Sequence, residues 1–547
     1  MTDWPPIRLS KRFWTAKRAN SPRYWPRVLS AGPPFFERDR VTTGIHHVTS
    51  ITADVQANVD FYMGFLGLSL VKQTGGYEDA QQLHLFYGDP EGRPGTLVSF
   101  LVWEATGRGR TGLGQVSEIA FAVPADSLGE WMMRAISANI PVEGPMKEFG
   151  EPVLRLKDPD GLIIKLVASE AATGSGSVTA PCYIRGVTVL SDVAEATTAF
   201  IGRFGYQPQA TEGAITRLKS DTDVVDVHAV TGFPPSVKGA GVPDHVAFRA
   251  PDIEAVRQIR LDLINHGPTN VHDRQYFVSL YVRDTSGLLI EYATDAPGMT
   301  ADEPADQLGQ TLQFPPEVMP HVAEELRIRL PQFARPGEMR CPKRDLPFIH
   351  RFYWPEEMDG STIVVLHGTG GDEGDLMPLA HRLNPKAAIL AVRGRATEEG
   401  NLRWFRRYGP GEFDQADIRS EAAAFNAFLA GAIRGYALDP DQLLLLGYSN
   451  GANMIGAMAQ LYPDSVRQAV LLRGMKVLEG DLAQASGQGR VLLVSGDTDH
   501  MIPMDKANAL TSELTQSGYE VSHRVLGLGH WMTDADQAAI KEWLKGA

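Results

Sequence analysis

Cysteine is nearly missing: Cys182 and Cys341 are the only two in 547 residues. That scarcity excludes a disulfide framework and any zinc site built on cysteine, and it fits a reducing cytoplasm. No apolar run approaches the roughly 18 residues that a membrane-spanning helix requires, so no membrane role is expected. Positive charge is also in deficit. A formal net charge of -14 argues against a nucleic-acid backbone as partner. Only the segment 1–43 runs the other way, its first 40 residues holding nine Lys/Arg against three Asp/Glu. Trp4, Trp14, Tyr24 and Trp25 lie there among Pro and Arg without a steady period. No continuous apolar core follows the basic start, which excludes a secretory signal. The composition permits an organelle-targeting peptide, but a poorly ordered extension, or one laid over the neighbouring domain, accounts for it better.

What is present is more than one domain. A chain of 547 residues, 43% hydrophobic and 22% charged, has room for three or four ordinary core-sized units. From Gly44 the sequence repeats at roughly 60 to 70 residues. The units open with Ile45-His46-His47-Val48-Thr49, Val116-Ser117-Glu118-Ile119-Ala120-Phe121, Ile184-Arg185-Gly186-Val187-Thr188 and Asp244-His245-Val246-Ala247-Phe248. Each opening reads as a strand, and apolar residues at helical spacing follow, as in Val55–Leu66, Leu128–Ala138 and Asp252–His266. The fourth unit closes on Asp284-Thr285-Ser286-Gly287-Leu288-Leu289-Ile290-Glu291-Tyr292. Asp158-Pro159-Asp160-Gly161-Leu162-Ile163-Ile164-Lys165 aligns with it in the second. The spacing predicts four β-α-β-β-β modules.

Aligning the modules narrows the chemistry. At the first-strand position they carry His47, Glu118, Gly186 and His245. At the last-strand position the fourth has Glu291, the second Lys165 and the first Ser99. A lysine there would repel a cation. Modules one and four together keep His47, His245 and Glu291, two imidazoles and a carboxylate that leave coordination positions open, as in non-haem Fe(II) oxygenases. A histidine on a strand is more often a plain packing residue, but two histidines and a glutamate at equivalent repeat positions favour a metal site.

This half resembles the vicinal-oxygen-chelate superfamily. Within that superfamily it resembles the ring-cleaving dioxygenases of hydroquinones. The matching segments are Gly44 to Thr49, Phe86-Tyr87-Gly88-Asp89 with Pro94-Gly95-Thr96, Asp273 to Arg283, Glu291 to Asp295, and Pro315 to His321. The resemblance implies Fe(II) on His47, His245 and Glu291, with Mn(II) or another divalent metal the lesser alternative, and O2 as co-substrate. It also implies a substrate pocket lined by His46, Thr49, Arg274 and Tyr281. One position departs: the relatives have His before the second ligand and this chain has Asp244. Strand alternation turns Asp244 away from the metal face, although a twist at the strand edge would bring its carboxylate to the pocket. On spacing alone, Tyr281 serves equally well in cross-strand packing and Arg274 in a surface ion pair.

Past a Pro- and charge-rich linker, 334–347, the pattern changes. Thr362–Leu366, Ala387–Val392, Leu443–Leu446, Ala469–Leu472 and Val491–Val494 read as buried parallel strands separated by helices. Gly447-Tyr448-Ser449-Asn450-Gly451 follows a strand and opens a helix. That is the context in which G-x-S-x-G bends the chain sharply enough to expose a nucleophilic serine. An acid after Val491–Val494 (Asp497 or Asp499) and then His530 complete the chain order Ser…Asp…His of α/β-hydrolases. The backbone N–H groups of Thr369, in His367-Gly368-Thr369-Gly370-Gly371, and of Asn450 supply an oxyanion hole. His367 supports that loop. Residues 348–547 resemble the small carboxylesterase/lysophospholipase-type hydrolases. Met501-Ile502-Pro503 after Asp499, as in those relatives, selects Asp499 over Asp497 as the acid. No large insertion interrupts this half, so a fairly open cleft is expected.

The sequence therefore predicts an α+β region of four βαβββ modules at 44–333, forming two paired domains, and an α/β-hydrolase with a mainly parallel sheet at 348–547. It describes a bifunctional enzyme acting on small-molecule aromatic and ester substrates. Two rivals keep the hydrolase: a glyoxalase-like lyase or isomerase that uses a metal without oxygen, and a non-catalytic binding module. Oligomeric state stays open, a homo-oligomer included.

Overall fold

The computed structural model describes residues 43–104, 106–172, 180–409, 411–480 and 489–546; the basic extension 1–42 lies outside them. The described residues form two compact units that divide between Cys341 and Pro342. No helix among them is long and apolar enough to cross a membrane.

Four β-α-β-β-β modules make up the first unit. Module one runs β1 (Ile45–Thr52), helix Val55–Val59 continued by a π-helical turn Asp60–Phe65, β2 (Ser69–Gly75), β3 (Leu83–Gly88) and β4 (Leu97–Val102). Module two is β5 (Gln115–Pro124), helix Leu128–Ser137, β6 (Val142–Glu148), β7 (Glu151–Lys157) and β8 (Ile163–Ser169). Module three is β9 (Tyr183–Ser191), helix Ala194–Ile201, β10 (Gln207–Glu212), β11 (Ile215–Lys219) and β12 (Val224–Ala229). Module four is β13 (Pro243–Ala250), helix Ile253–Asp262, β14 (His272–Asp273), β15 (Phe277–Arg283) and β16 (Leu289–Pro297), with β17 (Leu312–Gln313) after it. Aspartates start two of the helices: Asp54 accepts from the N–H groups of Gln56 and Ala57, and Asp252 from that of Ala255.

In every module the first strand lies parallel to the last, as β1 does to β4 and β13 to β16, which leaves one edge of the first strand open. A bare edge needs a partner. The modules find theirs out of chain order: β1 pairs antiparallel with β13, and β5 with β9. Modules one and four thus share a nine-stranded sheet, β14-β15-β16-β13-β1-β4-β3-β2-β17, and modules two and three an eight-stranded one, β10-β11-β12-β9-β5-β8-β7-β6.

Alternation then sorts the side chains of the nine-stranded sheet. Val48, Leu85, Phe100, Val246, Leu280 and Ile290 face a core shared with Val59, Tyr62 and Phe65 of the first helix. His47, Thr49, His84, Phe86, Ser99, Tyr281 and Glu291 alternate with those residues along the same strands.

The second unit is a seven-stranded sheet in the order β18-β20-β19-β25-β26-β27-β28. Its strands are β18 (His350–Tyr353), β19 (Thr362–Leu366), β20 (Ala388–Val392), β25 (Leu443–Tyr448), β26 (Gln468–Leu472), β27 (Arg490–Gly496) and β28 (Glu520–Leu526). All pairings are parallel except that of β18. Both edge strands lack a fully apolar run, which is why periodicity does not announce them. Between β20 and the helix Gln415–Tyr436 lie two small hairpins, β21 (Ala396–Glu398) with β22 (Asn401–Arg403), and β23 (Arg407–Gly409) with β24 (Glu412–Phe413). The Pro-rich segment has its ties divided: Ala334 O accepts from Gln56 Nε2 at 2.9 Å and Arg340 pairs with Asp60, whereas Arg344 N–H donates to Tyr436 Oη at 3.2 Å.

Candidate active sites

In the nine-stranded sheet, His47, His245 and Glu291 come from β1, β13 and β16, and their ligand atoms all lie within 4.8 Å of one another. Nε2 of His47 and Nε2 of His245 are each 3.1 Å from Oε2 of Glu291. All three residues are buried, and both Glu291 oxygens and His245 Nε2 lack a properly directed hydrogen-bond partner. Converging lone pairs left unsatisfied in a buried site are what a divalent cation would satisfy, so the donor set fits a metal. Burial lowers the affinity of His47 for a proton. It also disfavours charge on Glu291, but the His245 and His47 imidazoles 3.1 Å away outweigh it and hold that carboxyl well below the usual range.

The residues preceding the two histidine ligands take matching places. His46 Nδ1 lies 2.9 Å from His47 Nδ1, and Asp244 Oδ2 lies 2.9 Å from His245 Nδ1. Both His46 and Asp244 are the extra residue where the β1–β13 register slips. A bulge turns two successive side chains toward one face, so Asp244 does not follow plain alternation. Its other oxygen is 2.7 Å from Lys238 Nζ. Burial opposes charge on His245, but the Asp244 and Glu291 carboxylates prevail and push it up to about 9.

Tyr281 sits with its ring centroid 5.2 Å from that of His245, and the Arg274 guanidinium lies 5.4 Å from the Tyr281 centroid. Burial and the nearby Glu291 carboxylate raise the Tyr281 phenol well above its usual range, which keeps it a neutral donor. Arg274 also bonds Glu78 at 3.0 Å, so it both covers the site and makes an ion pair. Phe277 packs edge-on to His46, with centroids 5.1 Å apart, and Phe86 lies 6.3 Å from His47. Thr49 is buried, its Oγ1 2.8 Å from Ser99 Oγ; His84 Nε2 is 3.0 Å from the same Ser99 Oγ. Sequence reasoning passed over His84 and used Phe86 only within a matching segment, although alternation in Leu83-His84-Leu85-Phe86 puts both on the face opposite Leu85.

Register identifies the equivalent position in each module. Glu291 lies opposite Ala247, Ser99 opposite Thr49, Lys165 opposite Ala120 and Asp226 opposite Thr188. In the eight-stranded sheet these places hold ions of both signs. Lys165 Nζ is 2.7 Å from Glu148 and 3.1 Å from Glu118, while Arg217 grips Asp226 with two bonds of 2.7 and 2.8 Å. An ammonium stands there among carboxylates, where the other sheet converges metal-ligand atoms.

The second unit holds a different constellation. His530 Nε2 is 3.2 Å from Ser449 Oγ, and its Nδ1 is 2.8 Å from Asp499 Oδ2. Asp499 is aimed by the N–H groups of Met501 and Ile502 on its other oxygen; the backbone of Asp497 instead bonds Leu526. Ser449 has φ 51°, the left-handed region that bulky residues avoid. The turn closes only because its flanks are glycine. A Cβ on Gly447 would lie 2.6 Å from Ala452 N, and one on Gly451 would lie 2.1 Å from Leu366 O. Asn450 opens the helix Asn450–Leu461, so its N–H belongs to the unpaired first turn, and its side chain accepts from Trp404 N–H at 2.8 Å. Thr369 is exposed in the turn after β19. His367 braces that turn: Nδ1 lies 2.7 Å from Gly368 O and Nε2 accepts from Gly394 N–H at 3.0 Å. The hairpin residue Leu402 accepts from Gly370 N–H at 2.9 Å.

Residues 44–166 match the family described as "Glyoxalase/Bleomycin resistance protein/Dioxygenase superfamily", and residues 352–546 match "Phospholipase/Carboxylesterase". Among curated proteins, "Putative ring-cleaving dioxygenase MhqO" of Bacillus subtilis is 34% identical over 311 residues, covering 55% of this chain and 98% of the relative. "Chlorohydroquinone/hydroquinone 1,2-dioxygenase" of Sphingobium indicum is 29% identical over 296 residues, covering 50% and 92%. "Putative hydrolase MhqD" of Bacillus subtilis is 30% identical over 188 residues, covering 34% of this chain and 94% of its own.

Proposed function

We propose that this chain, which belongs through its first half to the glyoxalase/bleomycin resistance protein/dioxygenase superfamily and through its second to the phospholipase/carboxylesterase family, is a bifunctional enzyme. One site opens the ring of a hydroquinone-like aromatic with O2, and the other hydrolyses a carboxylic ester. The observation that carries the first is the buried convergence of His47, His245 and Glu291. Those three residues would hold Fe(II), which would bind and activate the phenol and dioxygen. The ring opens beside the hydroxyl-bearing carbon, and both oxygen atoms enter the product. Around that place, Phe86 and Phe277 offer flat apolar walls, neutral Tyr281 donates a hydrogen bond, and Arg274 balances developing negative charge.

In the second site His530 takes the Ser449 proton as Oγ attacks the acyl carbon, and Asp499 fixes the imidazole tautomer through Nδ1. The N–H groups of Thr369 and Asn450 receive the oxyanion. His530 gives that proton to the departing alkoxide, which leaves as the alcohol, and water then hydrolyses the acyl-enzyme with the neutral His530 again as the base.

The test is purification without oxygen, loading with Fe(II), and an oxygen electrode with hydroquinone and chlorohydroquinone. Oxygen uptake that disappears with iron occupancy in Glu291→Gln is expected. Metal-dependent turnover without oxygen would make this half a lyase or isomerase, and binding without turnover would make it a carrier.

A further inference from the structure

Ser99 occupies in module one the place that the ligand Glu291 occupies in module four. Each lies on the last strand of its module, opposite the residue two beyond the ligand histidine. Antiparallel β1 and β13 relate the two modules by a local two-fold that also exchanges His47 with His245 and Thr49 with Ala247. The next strands continue the match. Phe86 lies opposite Ser99 as Tyr281 lies opposite Glu291, and His84 lies opposite Leu101 as Ser279 lies opposite Ala293. Glu291 would take one side of a metal held by the two histidines. The direction exchanged with it by the two-fold points toward a serine, which is too short to serve in the same way. That open direction is bordered by hydroxyls rather than by a carboxylate.

The hydroxyls are linked. Thr49 Oγ1 to Ser99 Oγ is 2.8 Å and Ser99 Oγ to His84 Nε2 is 3.0 Å, a chain crossing β1, β4 and β3 on one face. Thr49 and Ser99 are buried, whereas His84 is only half-buried. The corresponding line in module four has Ala247, Glu291 and Ser279, which cannot conduct a proton in that manner.

We infer that Thr49, Ser99 and His84 form a proton path that carries the hydroxyl proton of a phenolic substrate from the open coordination side to solvent. The inference rests on the dioxygenase function proposed above. The substrate O–H gives its proton to Thr49 Oγ1, the Thr49 proton moves to Ser99 Oγ, and the Ser99 proton moves to His84 Nε2. His84 then releases its Nδ1 proton to water. Each hydroxyl gains one proton and loses one, so the net change is one proton from substrate to solvent and a bound phenolate. The groups that face His84 are His47, His245, Glu291 and Arg274. His84 Nε2, 3.0 Å from Ser99 Oγ, is within reach of that proton, and the half-buried ring places its other nitrogen toward water.

The test uses the full chain loaded with Fe(II), mixed without oxygen with hydroquinone in weak buffer containing a pH indicator. Proton release and the phenolate absorbance are followed by stopped flow. Wild type is expected to release one proton per iron as the phenolate forms. Ser99→Ala and His84→Phe should bind iron at wild-type stoichiometry and release the proton at least about tenfold more slowly. Ser99→Thr, which keeps the hydroxyl, should restore the rate. Proton release at the wild-type rate in Ser99→Ala overturns the path and leaves the dioxygenase assignment intact. Wild type that binds no hydroquinone overturns that assignment and the path with it. If Ser99→Ala loses iron, Ser99 acts on the metal site itself, and the path is overturned.

Discussion

Asp244 Oδ2 lies 2.9 Å from Nδ1 of His245, the residue that follows it in the chain. A carboxylate on the outer nitrogen of a metal-binding imidazole fixes the tautomer, leaves the Nε2 lone pair free for the metal, and makes the ring a stronger donor. His47 has a neutral partner, His46, in the same place. The two histidine ligands are therefore unequal. Asp244→Asn should weaken metal binding by about 10- to 100-fold in competition titrations with a chelator. Asp244→His, which makes the pair alike, should retain iron more weakly than wild type. Unchanged affinity in both would show that Asp244 only anchors Lys238.

Lys165 fills the place in the eight-stranded sheet that matches the ligand position of Glu291. Lys165→Met leaves Glu118 and Glu148 facing each other with only Arg155 between them. Breaking a buried ion pair from one side should cost on the order of 3 kcal/mol, read as a lower urea midpoint for the first unit. Iron stoichiometry should stay at one per chain. A second iron in the variant would show that Lys165 alone excludes a metal there.

Ser449→Ala should abolish turnover of p-nitrophenyl acetate, a loss on the order of 10⁶, while hydroquinone-dependent oxygen uptake is unchanged. Asp499→Asn should lose about 10⁴, because His530 would then hold the wrong tautomer. Asp497→Asn should stay within a few-fold of wild type. The reverse order for the two aspartates would reassign the acid.

Asp158 gives the first unit a pH dependence. Burial pushes its carboxyl up to about 7 against the opposing N–H of Leu162, whereas an unfolded aspartate ionises near about 3.9. The folded state therefore holds this proton to higher pH than the unfolded one. Its contribution is fully present below about pH 4 and is lost as pH rises to about 7. Asp158→Asn should flatten that part of the profile for the melting transition of the first unit. An identical slope would place the dependence on another group.

Much of this was legible without a structure because it depends on short-range periodicity. Alternation in Ile45 to Thr49 and Leu289 to Tyr292 separates core from site residues, since Val48 and Ile290 must be buried and His47 and Glu291 then face away. Comparing the repeats singled out His47, His245 and Glu291, because Lys165 in the second module would repel a cation and the third module opens on Gly186. Gly447-Tyr448-Ser449-Asn450-Gly451 announced its turn because neither flanking glycine has room for a Cβ. Alternation failed at Asp244. A bulge is one residue inserted against a partner strand, and which strand β13 pairs with is absent from its own sequence.

The remaining decisions belonged to tertiary structure for the same reason. Ser99 reads only as a strand serine at a non-ligand repeat position until β4 lies between β1 and β3 and brings Thr49 and His84 to its one oxygen. Lys165 reads as a single repelling charge, yet it is one member of a network with Glu118, Glu148 and Arg155 drawn from three strands. The sequence by itself determined which faces are apolar, which residues can ligate or attack, and where the chain must turn. Strand pairing between distant modules decided which of those residues meet, because hydrogen-bond register acts across space and leaves no local trace in composition.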